Sequence, residues 1–186
     1  DGGGAGVRGG DQFLALSGSH MPFTPFHFGP GAVIHAAAPR RVSFIAFVAA
    51  NVLIDVEPAY YMLTGQDPLH RFFHTYVGAS VVAVATALLF LLARKLALSV
   101  PLPNLLRWKE LNLGQVIAGA AAGAYSHIVL DSVMHADIRP WAPFSQANSL
   151  YLLISIDALQ DFCIGAGVAA AVLLAGRRLL GTARRG

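Results

Sequence analysis

The chain has 186 residues, of which 55% are hydrophobic and 12% are charged, and its mean hydropathy is +0.58. A soluble globular domain carries about 25% charged residues, so the composition excludes an ordinary soluble domain and indicates an integral membrane protein. The net charge of +3 is spread over short Arg and Lys clusters without interleaved aromatic residues, and we therefore expect no nucleic acid partner.

The beginning of the chain differs from the rest. Residues 1–20 open with DGGGAGVRGG, a glycine-rich run that we expect to be flexible, either as native chain or as a tag. We expect His20, within this segment, to bind nothing. Residues 21–180 are predicted to form a single membrane-embedded domain.

Four apolar stretches are long enough to cross a bilayer, which takes about 20 residues of helix. They cover residues 42–64, 75–93, 113–135 and 150–176. A weaker fifth candidate at 24–38 contains Gly29 and Pro30, which predict a broken or re-entrant helix. The predicted fold is an all-α polytopic membrane bundle with four to five transmembrane helices.

Small residues crowd the third and fourth of these spans. They form AGAAAGA at 118–124 and GAGVAAA at 165–171. Because small side chains let membrane helices approach closely, both stretches are predicted to lie at the centre of the bundle.

Basic residues flank the spans in pairs and predict an orientation. They are Arg40 and Arg41, Arg94 and Lys95, Arg107 and Lys109, and Arg177 and Arg178. When the spans alternate through the membrane, all four pairs fall on one side. The positive-inside rule assigns that side to the cytoplasm.

Histidines and aspartates recur where apolar helices meet their polar ends, and such groups are costly in hydrocarbon without partners. At 1.5 Å per helical residue, most of them fall in one layer near the outer boundary of the membrane. Imidazoles and carboxylates that converge predict one or two divalent metal ions, with zinc favoured and manganese or iron as alternatives. The candidate ligands are His27, Asp55, His70, His74, His127 and Asp131.

Two pairs among these candidates have helical spacing. His127 and Asp131 are four residues apart and share a helix face, which fits either a metal site or a buried hydrogen bond. His70 and His74 have the same spacing after the turn at Asp67-Pro68; His70 could equally be an interfacial histidine.

The remaining polar residues of this layer leave several roles open. Glu57 is expected to point away from Asp55 into solvent. Asp157 and Asp161 fit a second metal position, acceptors for ring N–H groups, or complements of the helix dipole. The loop 136–144 is expected to cover the site, with Arg139 contacting either a substrate phosphate or carboxylate, or lipid headgroups.

The order of these motifs is similar to a known family. They are T24-P-F-H27-F-G-P-G, L-I-D55, H70-R-F-F-H74-T, and S126-H127-I-V-L-D131 followed by a Pro-Trp-x-Pro loop. Over about residues 21–176 the chain resembles the inner-membrane metal-dependent hydrolases of the YdjM type, which bear a distant likeness to zinc-dependent phospholipases C. The resemblance implies a bacterial inner membrane and the ligands His27, Asp55, His74, His127 and Asp131.

The chain departs from that family at two motifs. The aspartate segment reads I54-D55-V56-E57, where the family commonly has P-D-x-D. The histidine motif H70-R-F-F-H74 is one residue shorter than the common H-R-G-x-T-H.

The sequence thus predicts a membrane-bound, metal-dependent hydrolase that acts on a phosphoester or other ester of a lipid or lipid-linked substrate. His135 and Asp161 are the candidates for catalytic roles as general base or as support for the ligands. The alternative is a non-catalytic accessory subunit of a larger membrane complex. A metal transporter is a weaker option, because its ligands would be spread through the membrane depth.

Overall fold

The computed structural model describes residues 25–183, so the predictions for residues 1–20 lie outside the described chain. Within that range the chain is all-helical. A 3-10 turn at Pro25–His27 precedes α1, and a second 3-10 segment, Leu105–Glu110, precedes α4. The α-helices are α1 (Phe28–Ala37), α2 (Phe44–Leu63), α3 (Tyr76–Leu96), α4 (Leu113–Met134) and α5 (Ile156–Ala183).

Four of the helices, α2 to α5, are long and apolar enough to cross a membrane, which confirms the predicted helix bundle. The fifth candidate forms α1, a helix of 10 residues. A full crossing takes about 20 residues, so α1 is too short to span the bilayer by itself. Pro30 lies in its first turn, where the missing backbone N–H breaks no helical hydrogen bond.

Side-chain caps begin three of the spanning helices. Ser43 accepts a hydrogen bond from the Ala46 amide at the start of α2, and Thr75 accepts one from the Gly78 amide at the start of α3. Asn112 and Gln115 form a reciprocal capping box at the start of α4. These caps satisfy amides that have no partner within the helix, and they determine where each helix begins.

Helix α4 forms the centre of the bundle, and its small residues explain why. A Cβ atom on Gly119 would collide with the backbone of Ser43, and one on Gly123 with the backbone of Phe47. The absence of these Cβ atoms lets α2 lie directly against α4. The predicted central position of the stretch 118–124 is therefore confirmed.

The second small-residue stretch behaves differently, and its predicted central position is wrong. Helix α5 packs chiefly on α1, where a Cβ atom on Gly167 would lie 3.8 Å from the Cα atom of Gly29. A Cβ atom on Gly165 would meet nothing within 4 Å. Most of the stretch 165–171 is exposed at the periphery of the described bundle.

The basic pairs meet at one end of the bundle, which we call the basic end. Arg94 donates a hydrogen bond to the Leu111 carbonyl, and Arg177 donates one to the Ala37 carbonyl. The other end, where α2 and α4 finish and α3 begins, we call the site end. The loop after α4 folds over it, because the Pro140 carbonyl accepts a hydrogen bond of 2.9 Å from the Tyr76 amide.

Candidate metal centre

Four buried side chains converge at the site end and form what we call the buried cluster: Asp55 from α2, His74 from the turn before α3, and His127 and Asp131 from α4. Each offers one ligand atom, and these atoms all lie within 4.8 Å of one another. Nε2 of His127 is 3.1 Å from Oδ1 of Asp55 and 3.0 Å from Oδ2 of Asp131. The cluster can hold a metal ion.

The separations between these atoms are those of ligands around a single small ion. Bonds of about 2.0–2.1 Å in a tetrahedral site put neighbouring ligand atoms about 3.3 Å apart. Nε2 of His74 lies 3.5 Å from Oδ2 of Asp131 and 3.9 Å from Oδ1 of Asp55. Together with the two shorter contacts of His127, these distances bracket the expected value.

His27 adds a further imidazole from the 3-10 turn before α1. Its Nε2 lies 3.3 Å from Oδ1 of Asp131, and its ring stands nearly perpendicular to that of His127 at a centroid distance of 4.9 Å. Burial lowers the pKa of His27 to about 4. The ring is therefore neutral near pH 7, which is the form of histidine that binds metals.

A second group of potential ligands lies beside the buried cluster and consists of His70, Asp131 and His135. The ring centroids of His70 and His135 are 4.4 Å apart. Burial also lowers the pKa of His135, which favours its neutral form. Asp131 belongs to both groups, so its carboxylate would be available as a ligand in either of them.

The outer nitrogen of His127 is restrained by Asn51, one turn before Asp55 on α2. The Asn51 amide nitrogen donates to the Phe47 carbonyl at 2.9 Å, which turns its oxygen toward His127. Nδ1 of His127 donates to that oxygen at 3.0 Å. A proton on Nδ1 leaves the lone pair of Nε2 directed at the two carboxylates, an arrangement typical of metal-binding histidines.

His70 is oriented in a similar way by Asp137. Nδ1 of His70 lies 2.9 Å from Oδ1 and 3.0 Å from Oδ2 of Asp137, and the His70 amide also donates to this carboxylate. Although burial alone would raise it, the contact with His70 holds the pKa of Asp137 below its ordinary value. Asp137 therefore stays ionised and keeps the His70 ring in place.

Glu57 faces inward, so its predicted solvent exposure is wrong. Its Oε2 accepts hydrogen bonds from the amides of Phe73 at 2.8 Å and Arg71 at 3.3 Å. The same oxygen lies 3.8 Å from Nδ1 of His74, longer than a hydrogen bond. Glu57 thus fixes the turn that carries His74 and places a negative charge beside its ring.

The buried cluster and His27 contain buried polar atoms that make no hydrogen bond within the described chain. They are both ring nitrogens of His27 and His74, Nε2 of His127 and Oδ1 of Asp131. Burying such atoms without a partner is costly, and native proteins rarely leave several together. A divalent cation would bind one nitrogen of each ring together with the Asp131 oxygen, so the residues present fit a metal ion.

The structure brings most of the predicted site residues together. Asp55, His74, His127 and Asp131 converge, His27 contacts this group through Asp131, and His70 and His135 lie next to it. Asn51 and Asp137 were missed as supporting residues, although Asn51 stands four residues before Asp55 and Asp137 two residues after His135. Those spacings are the only signals that could have found them.

Asp161 is not brought to the metal centre. Helix α5 buries Leu159 and Cys163, and a residue midway between them points to the opposite side of the helix. Asp161 and Asp157 are accordingly exposed and lie outside both groups of potential ligands. The position of Asp161 gives no support to a catalytic role.

Comparison of the chain with family models, curated proteins and solved structures finds no match. The resemblance to YdjM-type hydrolases stays a prediction, and the function has to be argued from the site itself.

Proposed function

We propose that the protein is a membrane-bound hydrolase that depends on one or two divalent ions held at the site end of the bundle. One observation carries the proposal. Imidazole nitrogens that make no hydrogen bond converge with the carboxylates of Asp55 and Asp131 in a buried place, and hydrogen bonds to Asn51 and Asp137 orient two of the rings. Histidine rings whose outer nitrogen is held by a hydrogen bond to a side chain are typical of metal sites.

The charges around the centre suit two divalent ions as well as one. Asp55 and Asp131 lie within the buried cluster, Glu57 lies beside His74, and Asp137 contacts His70 of the second group. Nitrogen and oxygen donors in this proportion favour zinc, and they also accommodate manganese or iron. Asp131, as the shared carboxylate, would tie the two positions together.

A divalent ion at this centre would polarise a phosphoryl or acyl oxygen and make a water molecule more acidic. The protein's own residues hold the reacting groups in place and exclude bulk water. His135 is neutral and only partly buried, so it can accept the proton of the attacking water if it is not itself a ligand. In hydrolysis, the water oxygen replaces the ester oxygen, which leaves with a proton.

The surroundings of the site favour a lipid substrate. Large apolar side chains are exposed at the site end, among them Leu63, Phe72, Trp141 and Phe144, the last at 85%. Tryptophan in such a position suits the boundary between headgroups and acyl chains. An ester carried by a lipid would therefore reach the centre by lateral movement in the membrane.

The proposal is tested by hydrolysis assays on protein that has been stripped with a chelator and reloaded with Zn²⁺ or Mn²⁺. We expect the loaded wild type to hydrolyse a lipid ester and Asp131→Asn to lose at least about 100-fold in rate, more than a supporting residue costs. Glu110→Gln is the matched control, since it removes one negative charge at the basic end, where Glu110 pairs with Arg107. A loaded wild type that cleaves neither phosphoesters nor carboxylic esters of lipids would instead favour a non-catalytic accessory subunit.

A further inference from the structure

A cavity of about 550 Å³ lies beside the metal centre, between the turn before α3 and the loop after α4. This volume is in the range of pockets that bind small ligands. One wall consists of His70 and its partner Asp137, so the cavity borders the second group of potential metal ligands. The side chains opposite this pair decide what the cavity can bind.

Two arginines line the cavity, and both are held in place by backbone carbonyls. Nε of Arg71 donates to the Pro68 carbonyl at 2.9 Å, and its guanidinium stacks on the Tyr61 ring at 3.7 Å. Nη1 of Arg139 donates to the carbonyls of Ala136 and Ile138. The two guanidinium groups are therefore positioned before any ligand arrives.

Neither arginine forms an ion pair with a carboxylate in the described part of the chain. The Arg–carboxylate ion pair found there, Arg107–Glu110, lies at the basic end. Asp137 is the acidic residue of the cavity wall, and His70 engages both of its oxygens. Two guanidinium charges thus line a cavity that holds one carboxylate, that of Asp137, and this excess of positive charge predicts an anionic ligand.

The geometry of guanidinium groups narrows the class of anion. Their planar forks match the oxygens of phosphate, and two of them can neutralise a dianion. The ester of a neutral lipid carries no charge and would leave both arginines without an anionic partner. The cavity is also lined by Phe72, which is 49% exposed, and by Ala142 and Pro143, so an apolar surface adjoins the two charges.

We infer that this cavity binds the phosphate of a lipid headgroup. Arg71 and Arg139 would donate hydrogen bonds to the phosphate oxygens, and Phe72 would contact the attached acyl chain. The inference rests on the proposed function for its catalytic meaning and narrows the substrate from lipid esters in general to lipid phosphoesters. Bound in this way, the phosphate would lie beside His70, on the side of the centre formed by the second group.

Binding is tested without turnover on the full chain in detergent micelles, with metal removed by a chelator. The probes are dioctanoyl phosphatidic acid, dioctanoylglycerol, which lacks the phosphate, and inorganic phosphate. We expect phosphatidic acid to bind tightest and the double variant Arg71→Gln/Arg139→Gln to weaken it at least about tenfold, since hydrogen bonds to charged groups are among the stronger ones. Dioctanoylglycerol should bind wild type and double variant equally weakly.

Two further variants keep the test decisive if the double variant folds poorly. Arg139→Lys keeps the charge but loses the fork, and we expect an intermediate loss of affinity for phosphatidic acid. Arg107→Gln removes a charge at the basic end and should bind like the wild type. Equal affinities of wild type, double variant and Arg139→Lys for phosphatidic acid would overturn the inference, and equal affinities of the wild type for inorganic phosphate and phosphatidic acid would overturn the assignment to a lipid.

The two proposals fail separately in these experiments. If phosphatidic acid binds through the arginines but the metal-loaded protein does not hydrolyse it, the anion site is supported and the proposed enzymatic activity is contradicted. If the protein hydrolyses the lipid but binding does not depend on either arginine, the enzymatic activity is supported and the anion site is contradicted.

Discussion

At the scale of single residues, the candidate metal centre depends on pairs in which one side chain orients another. The Asn51 side-chain nitrogen donates to the Phe47 carbonyl, and this contact turns the side-chain oxygen toward His127. Asp137 holds His70 through both carboxylate oxygens. These contacts leave the inner nitrogens ready for a cation, so a change at Asn51 should alter metal binding without removing a ligand.

Asn51→Leu keeps the size of the side chain but removes the acceptor for Nδ1 of His127. We expect the affinity for zinc to fall about 10- to 100-fold, the usual effect of losing such a supporting hydrogen bond. Asn51→Asp keeps an oxygen in place and should retain most of the affinity. Competition with a chromophoric chelator measures both variants, and an Asn51→Leu protein that binds zinc as tightly as wild type would contradict this account.

The sequence predicted the residues of the centre better than the contacts between them. The spacing of His127 and Asp131 put both on one helix face, and the cost of a carboxylate in an apolar run singled out Asp55. The inward turn of Glu57 could not be predicted, because it depends on amides of Phe73 and Arg71 that come from a distant turn of the chain. The spacing of residues along one helix does not identify hydrogen-bond partners that belong to another segment.

At the scale of helices, caps and glycines determine how the ligands meet. Thr75 begins α3 directly after His74, and Gly123 lets α2 lie against α4 so that Asp55 reaches His127. Hydropathy predicted the four spans well, because a run of about 20 apolar residues is characteristic of a transmembrane helix. Hydropathy could not show that α5 packs chiefly on α1, since the small-residue stretches of α4 and α5 look alike in sequence.

Gly123→Ala and Gly165→Ala make a matched pair of helix substitutions. A Cβ at position 123 would collide with the Phe47 backbone and lie 3.1 Å from the side-chain nitrogen Nδ2 of Asn51. A Cβ at position 165 would have no atom within 4 Å. We expect Gly123→Ala to cost about 1–3 kcal/mol in the free energy of unfolding, as overpacking does, and to weaken metal binding through Asn51.

Gly165→Ala should be neutral or stabilising by up to about 1 kcal/mol, since alanine is the better helix former. Thermal unfolding in detergent compares the two variants with the wild type. A Gly123→Ala protein as stable as Gly165→Ala would show that α2 and α4 do not touch as closely as the structure has them.

At the scale of the whole molecule, the two ends of the bundle differ in chemistry. Basic pairs gather at one end, and the buried cluster, the cavity with its two arginines and the exposed aromatic residues gather at the other. The predicted common layer for the histidines and aspartates agrees with the convergence of the buried cluster. The assignment of the basic end to the cytoplasm stays a prediction from the positive-inside rule.

The most direct test of the metal centre is elemental analysis of the protein purified without chelator and reloaded with Zn²⁺. The shared position of Asp131 predicts one or two ions per chain in the wild type and in Glu110→Gln, and almost none in Asp131→Asn. If two ions bind, His135→Ala should lose only one of them. A wild type that retains no metal, or an Asp131→Asn protein that retains as much as the wild type, would contradict the centre described here.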